Sequence, residues 1–500
     1  MRIAVTGATG FVGRSFIQRF NGDYRIRGLG RSSRPPGWLP RKAEWQPTDL
    51  YSLLDAEKAL KGCDLALYLV HSMLPSARLN QGSFEDTDLI LADNFARAAK
   101  KAGVKKIIYL GGILPDKPEA DLSLHLRSRK EVETVLGSTG VPVVALRAAL
   151  VLGAGGSSFE MMRKLVDRLP VMVCPSWTSS LSNPVYIDDL LSVMNAVCQE
   201  ERKRSAVVNV PGPDQLSYID LMDLTARSLG KKRLFLPISF YSPRLSLLWI
   251  QLITGSSHEL VAPLVESLKH DMVATPPAKY KKLLSTGIQL ALQKSVQGEL
   301  SQPAYPRNPP LSRTAGTSKA SAISRNSAVS ESSGSVPNSV STARAGTPGK
   351  ATAGGQSLVR SVQRLPLPKG KDAIFLAELY PIWLQGRLRS ILKIRRDPDS
   401  GVVGFYAFGL KLLQLQLNEQ RSDPTRQLYY VTGGLLAARG SRGRLEFRTL
   451  PELNCALSAV HDFQPALPWY IYKFTQAPIH LWVMNSFARF LQKFKDSQGS

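Results

Sequence analysis

The stretch MRIAVTGATGFVG, Met1 to Gly13, decides the reading of this chain. Arg2 to Thr6 is short, β-branched and apolar, as a buried first strand should be, and Phe11, Val12, Phe16 and Ile17 then recur at helical spacing. Between the two runs lie Gly7, Gly10 and Gly13. A pyrophosphate needs a backbone close enough to donate N–H bonds and a helix N-terminus aimed at it, and side chains at those glycines would block the approach. Strand, glycine turn and helix come in the order that a dinucleotide site requires.

The next residues bear on which nucleotide is held. Tyr24 to Arg31 reads as a second strand, and where an acidic residue would hold a ribose 2′-hydroxyl this chain has Arg31, with Arg34 close behind. A guanidinium fork suits a 2′-phosphate, so NADP(H) is expected in preference to NAD(H). The competing reading is that both arginines are solvated loop charges.

Strand and helix patterns then alternate. Strands are expected at Ala43–Gln46, Asp64–His71, Lys106–Gly111 and Val143–Leu152, with helices at Leu50–Leu60, Phe84–Ala102 and around His125–Leu136. This βαβ order predicts an α/β fold with a doubly wound, Rossmann-type parallel sheet. Ligands in such sheets lie at the carboxyl ends of the strands, which points to Thr6–Val12, Arg31, Asp49, Val70–Ser72 and Gly111–Leu114 as pocket lining.

From Ser301 to about Gly370 the composition shifts to Ser, Ala, Thr, Gly and Pro with basic residues and a single acid, Glu331. Such a segment cannot bury enough apolar surface to offset its ordering entropy. The expected organisation is therefore a domain over 1–295, a disordered basic linker over 296–370 and a second domain over 371–496. Strand-like runs at GVVGFYAFG, LYYVTGGLLAARG and RGRLEFRTL, and an amphipathic helix at Ala477–Phe494, mark the second domain.

The 500 residues carry a formal charge of +25, spread as about +10 over the first 300 residues, +8 over the next 70 and +7 over the rest. No segment reads as a nucleic-acid arm, and Lys100, Lys101, Lys105 and Lys106 read as a solvated helix end. The four cysteines, Cys63, Cys174, Cys198 and Cys455, have neither metal nor redox spacing. No apolar leader precedes the first strand, and Leu245–Thr254 and Pro465–Met484 are too short or too interrupted to span a bilayer. A cytoplasmic protein is expected, with weak membrane-surface association through the aromatic second stretch left open.

TGATGFVG, Asp49-Leu50, SNPVYIDDLLSVM and VVNVPGPDQLSYIDLMDL together resemble the atypical short-chain dehydrogenases/reductases, the type that includes NmrA-like proteins and the Rossmann-fold accessory subunit of respiratory complex I, over residues 1 to 290. LVHSM, HLRSRKEVE and PLVESLKHDMV are similar to a bacterial two-part family that appends a polyketide-cyclase or START-like helix-grip domain of uncharacterised function. The tail from Lys371 is similar to that domain, notably in RGRLEFR and PWYIYKFTQAPIH. The resemblance implies a cofactor site made of Thr6, Gly7, Thr9, Gly10, Phe11, Val12, Gly13, Arg31, Arg34, Asp49, Leu50, Val70, His71, Gly111 and Gly112, with Asp49 at the adenine. It also implies a sheet wrapped round a long helix, with an apolar ligand cavity, in the appended domain.

The chain departs from that family at the catalytic motif. An active member uses a Tyr, a Lys four residues on, and an upstream Ser or Thr; here the matching positions hold His125, Arg129 and Gly111-Gly112. Imidazole can donate a proton near neutral pH and Arg129 one turn away could hold the cofactor ribose, which makes His125 and Arg129 the candidate catalytic pair. The other reading is that His125 lines a pocket and Arg129 touches the cofactor. Two functions follow: a reductase of an apolar carbonyl, enone or quinone-like substrate, or a non-catalytic NADP(H) sensor or assembly scaffold. His258-Glu259, His270-Asp271 and His461-Asp462 are sequence neighbours that should diverge, so no metal site is expected.

Overall fold

The first strand, Arg2–Val5, sits in the middle of a seven-stranded sheet because every residue but Arg2 is fully buried. The computed structural model describes residues 1–71, 79–238, 265–301 and 358–499. Ser72, the apolar run Leu245–Thr254, His258-Glu259 and most of the predicted linker lie outside the described residues. Across the sheet the strands run Ala206–Val210, Val143–Ala148, Lys106–Gly112, Leu65–Tyr68, Arg2–Val5, Arg25–Gly30 and Glu44–Pro47, all parallel. The order reverses between Arg2–Val5 and Leu65–Tyr68, where the glycine turn emerges. In open α/β sheets this switch point is the ligand crevice.

Helices Leu53–Leu60, Phe84–Ala102 and Leu124–Gly137 cover one face of the sheet, and Phe11–Phe20 and Ile187–Gln199 the other, each with its own apolar cluster. Phe84–Ala102 is capped by the Ser83 hydroxyl on Asp86 N–H, carries Glu85 and Asp86 in its first turn and ends in left-handed Gly103, so its ends are fixed by the sequence itself. Two expectations shift. The predicted strand Val143–Leu152 breaks after Ala148, and Val151–Leu152 leaves the sheet to pair with Val185–Tyr186. Lys106 is buried rather than solvated, and its ammonium donates to the carbonyls of Val197 and Glu200 at 2.5 and 2.6 Å.

The C-terminal part is an antiparallel sheet whose order is Leu392–Asp397, Val402–Ala407, Leu410–Leu417, Arg426–Gly433, Arg444–Leu450, Cys455–Phe463 and Val359–Pro366. Helices Ala373–Arg387 and Gln476–Gly499 pack on one face of it. Aromatic rings pack between sheet and helices: Tyr380 lies 5.5 Å from Phe447 and 5.2 Å from Phe487, and Trp383 lies 5.0 Å from Phe487.

The boundary expected at 371 is corrected by Val359–Pro366, which opens this sheet from inside the stretch assigned to the linker. Arg360, Val362 and Arg364 alternate toward the helices of the first part, as the two-residue period of a strand requires. The two folded parts, residues 1–301 and 357–500, form one compact unit. Leu79–Gln81 of the first part adds a parallel strand to Val359–Pro366.

The contact between the parts carries charge. Arg448, 1% exposed, bonds Asp93 at 2.5 Å and Glu446 at 2.8 Å. Glu446 also accepts from Arg426 at 2.7 Å and from His461 Nε2 at 2.9 Å. Arg364 grips Glu131 through two bonds of 2.7 and 2.9 Å and Asp86 through one of 2.9 Å.

Candidate active site

The glycine turn is shaped by contacts that no side chain could share. Gly7 has φ +61°, and a β-carbon there would come 2.7 Å from the Leu69 carbonyl oxygen. One at Gly13 would come 2.4 Å from the Gly7 carbonyl oxygen, so the helix Phe11–Phe20 can start this close to the strand only with glycine at its third position. Thr6 is buried: its hydroxyl donates to Leu67 O at 3.1 Å and accepts from Leu69 N–H at 2.9 Å. It braces the two central strands where the expectation had it lining the pocket. Gly10 is the N-cap, offers no side-chain capping bond, and no acid stands in the first turn. The first-turn N–H groups, with the positive end of the helix dipole, present an anion site.

A cavity of about 600 Å³ opens from this turn. Its walls include Gly7, Gly10, Phe11, Val12, Gly13, Val70, His71, Gly112, His125 and Arg129, all of which sequence reasoning named. The structure thus brings together the turn, the end of the fourth strand in sheet order and the helix Leu124–Gly137. Arg31, Arg34 and Thr9 are exposed and lie off this cavity, Leu50 is buried, and Gly111 packs over the Tyr109 ring. Asp49 also lies off the cavity. Its carboxylate accepts from Tyr51 N–H at 3.1 Å and is ion-paired with Arg360 of the C-terminal sheet.

The far wall was not anticipated. It comes from helix Ser157–Arg168 through Met161, Met162 and Leu165, from Trp177, Tyr218 and Met222, and from Val265, Leu268 and Met272. Sequence reasoning places no element at Ser157–Arg168, and Tyr218, Met222, Val265, Leu268 and Met272 enter only through the family resemblance. Among the described residues, Arg129 is the one permanently charged side chain on the cavity wall, and it is compensated: its guanidinium pairs with buried Asp88 at 3.2 Å. Asp88 escaped sequence reasoning, although an acid on the apolar face of Phe84–Ala102 was the available signal.

His125 and Arg129 share one face of their helix, four residues apart. Burial pushes the His125 imidazole down to about 3, assisted by the positive charge of Arg129, and its Nδ1 has no hydrogen-bond partner in the protein. The His125 ring is therefore neutral at neutral pH, so the ordinary imidazolium of a histidine acid is not present there. His71 lies on the same cavity and is exposed. The phenols nearest Arg129 do not replace the missing tyrosine, because burial raises Tyr109 to about 12 and Tyr68 well above its ordinary value, and both lie in the core beneath the sheet. His270 is buried with neither ring nitrogen bonded, while Asp271 turns away to accept from Leu181 N–H at 2.8 Å.

Residues 7–164 match the NAD(P)H-binding family, so the first part of the chain carries an NAD(P)H-binding domain. The auxiliary protein GraX of Staphylococcus aureus is 27% identical over 144 residues, which is 28% of this chain and 42% of GraX; the chain thus spans less than half of that relative. Ceramide reductase of Caulobacter vibrioides is 24% identical over 232 residues, 46% of this chain and 71% of that protein. Among solved structures, triphenylmethane reductase of Citrobacter sp. complexed with NADP(H) shares 20% identity at a TM-score of 0.46, covering 59% of this chain and 100% of that one.

Proposed function

We propose that the chain is an NADP(H)-dependent reductase of an apolar carbonyl, enone or quinone-like substrate. The observation that carries this reading is the cavity itself: one continuous space joins the glycine turn to a wall of methionine, leucine and tryptophan, and Arg129, the one fixed cation among the described lining residues, is paired with Asp88. An apolar substrate gains from the same walls. The likeness to ceramide reductase supports the choice.

In this reading Gly7, Gly10 and Gly13 admit the pyrophosphate, and Arg31 and Arg34 take the 2′-phosphate at the exposed end of their strand. NADP(H), when bound, would supply a hydride for the carbonyl carbon. The N–H of neutral His125 bonds the carbonyl oxygen, gives up its proton as negative charge develops there, and recovers it from solvent by way of His71. The apolar walls of this cavity favour it as the seat of the apolar ligand.

The second reading, a non-catalytic NADP(H) sensor or scaffold, rests on the absent Tyr and Lys at His125 and Arg129. Deuterium transfer separates the two. Incubation of the full chain with NADPH deuterated at C4 and a panel of long-chain aldehydes, ketones and quinones should place the label stereospecifically in one reduced product. Nucleotide binding without consumption across the panel would favour the sensor. Among the described residues no helix is long and apolar enough to cross a membrane.

A further inference from the structure

The residue that the sequence assigned to adenine, Asp49, is held by the C-terminal part of the chain. It follows the edge strand Glu44–Pro47, whose neighbours in the sheet are Arg25–Gly30 and then Arg2–Val5 with its glycine turn. A dinucleotide whose pyrophosphate sits on that turn lays its adenosine across the carboxyl ends of these strands. Arg360, 6% exposed, reaches Asp49 from Val359–Pro366. Arg360 is fixed on every side: Asp462 accepts from its Nε at 3.2 Å and from its Nη2 at 2.9 Å, and the guanidinium lies 4.2 Å from the centre of the Tyr51 ring. Asp462 is itself held by Arg444 at 2.7 Å, and the Tyr51 and His461 rings lie 6.1 Å apart at a steep angle.

On the reading that the first part binds NADP(H), we propose that Arg360 is a nucleotide-site residue, and that the appended domain completes the adenosine subsite by fixing Asp49. A carboxylate offers about four lone-pair positions. The Tyr51 N–H and Arg360 take one oxygen each, Asp49 remains partly exposed, and capacity is left for the exocyclic amine of adenine. The guanidinium also places a desolvated positive charge beside a ligand that carries three or four negative ones. Binding at the glycine turn and docking of Val359–Pro366 are therefore linked, and linkage is reciprocal.

The test uses the full chain and calorimetric titration with NADPH and with ADP-ribose, which carries the adenosine and pyrophosphate but no nicotinamide. Arg360→Gln should weaken both ligands about tenfold, inside the usual range of coupling between sites. Arg364→Gln removes two ion pairs of the same interface, to Asp86 and Glu131, and should leave both affinities within about twofold. Combining Arg360→Gln with Asp49→Asn should weaken binding no more than the stronger single change. In the wild-type chain, NADPH should slow amide exchange in Val359–Pro366, a readout that needs no variant to fold. Unchanged affinities in Arg360→Gln, equal losses in the two arginine variants, or exchange in that strand indifferent to NADPH would each overturn the proposal. Failure of the wild-type chain to bind NADPH at all would instead remove the reading beneath it.

Discussion

The cavity and the interface between the two folded parts bury surface in opposite ways. Among the described residues the cavity wall is mostly aliphatic and aromatic, with His71, His125 and one paired cation, whereas the interface inserts Glu446, Arg448, Arg426, Arg360 and Arg364 among apolar residues such as Val362, Leu450 and Leu457. Apolar walls reward any ligand that sheds water and impose little direction, which suits a site for a poorly soluble substrate. Buried ion pairs contribute little net stability, because desolvation offsets their attraction, but each has one satisfactory geometry and so fixes register. The first region selects by exclusion and the second by fit.

The comparison breaks most visibly if the buried charges are dispensable. Glu446→Gln leaves Arg426 and Arg448 without their shared anion, and should lower the unfolding free energy by about 3–5 kcal/mol in urea denaturation. A loss below about 1 kcal/mol would mean that the interface tolerates unpaired charge. His125→Phe keeps the cavity apolar and removes its polar centre. Turnover of the substrate identified by deuterium transfer should fall about 100-fold or more while the NADPH dissociation constant stays nearly constant. Wild-type turnover in that variant would return His125 to the lining.

Smaller effects sharpen the contrast. Arg31→Asp should reduce the preference for NADPH over NADH about tenfold, read by competitive titration, since a carboxylate repels the 2′-phosphate and accepts from a free ribose hydroxyl. The pH response of His125 is smaller still. Its folded value of about 3 lies below the ordinary 6.5, so as pH falls through 6.5 the unfolded chain takes up the proton first and stability is lost progressively toward pH 3. Thermal melts from pH 7 to pH 4.5 should therefore decline less steeply in His125→Phe than in the wild type. Turnover should show no ionisation near 6.5, since the ring is already neutral there.

The same contrast explains what could be read in advance. MRIAVTGATGFVG carries its own context, because strand, turn and helix are all local, and the parallel sheet followed from similar local periods. His125 and Arg129 were legible from their spacing on one helix face. Their surroundings were not, since Asp88 and the wall at Met161, Met162 and Leu268 arrive from distant segments. The docking strand was hidden for a compositional reason: LVRSVQRLP follows without a break from a basic, serine-rich run, and its antiparallel partner is Cys455–Phe463, nearly a hundred residues away. The two acids on the inner side of Phe84–Ala102, Asp88 and Asp93, were the readable hint that cations would come to meet that helix.

The most direct test of the account is calorimetric titration of the full chain with NADPH, repeated with Gly10→Val, whose branched side chain would stand between the helix N-terminus and the pyrophosphate. The account predicts saturable binding at one site per chain in the wild type and none in the variant, with the thermal unfolding transition of the variant intact. Binding of equal affinity in both proteins, or no binding in the wild type, would contradict it.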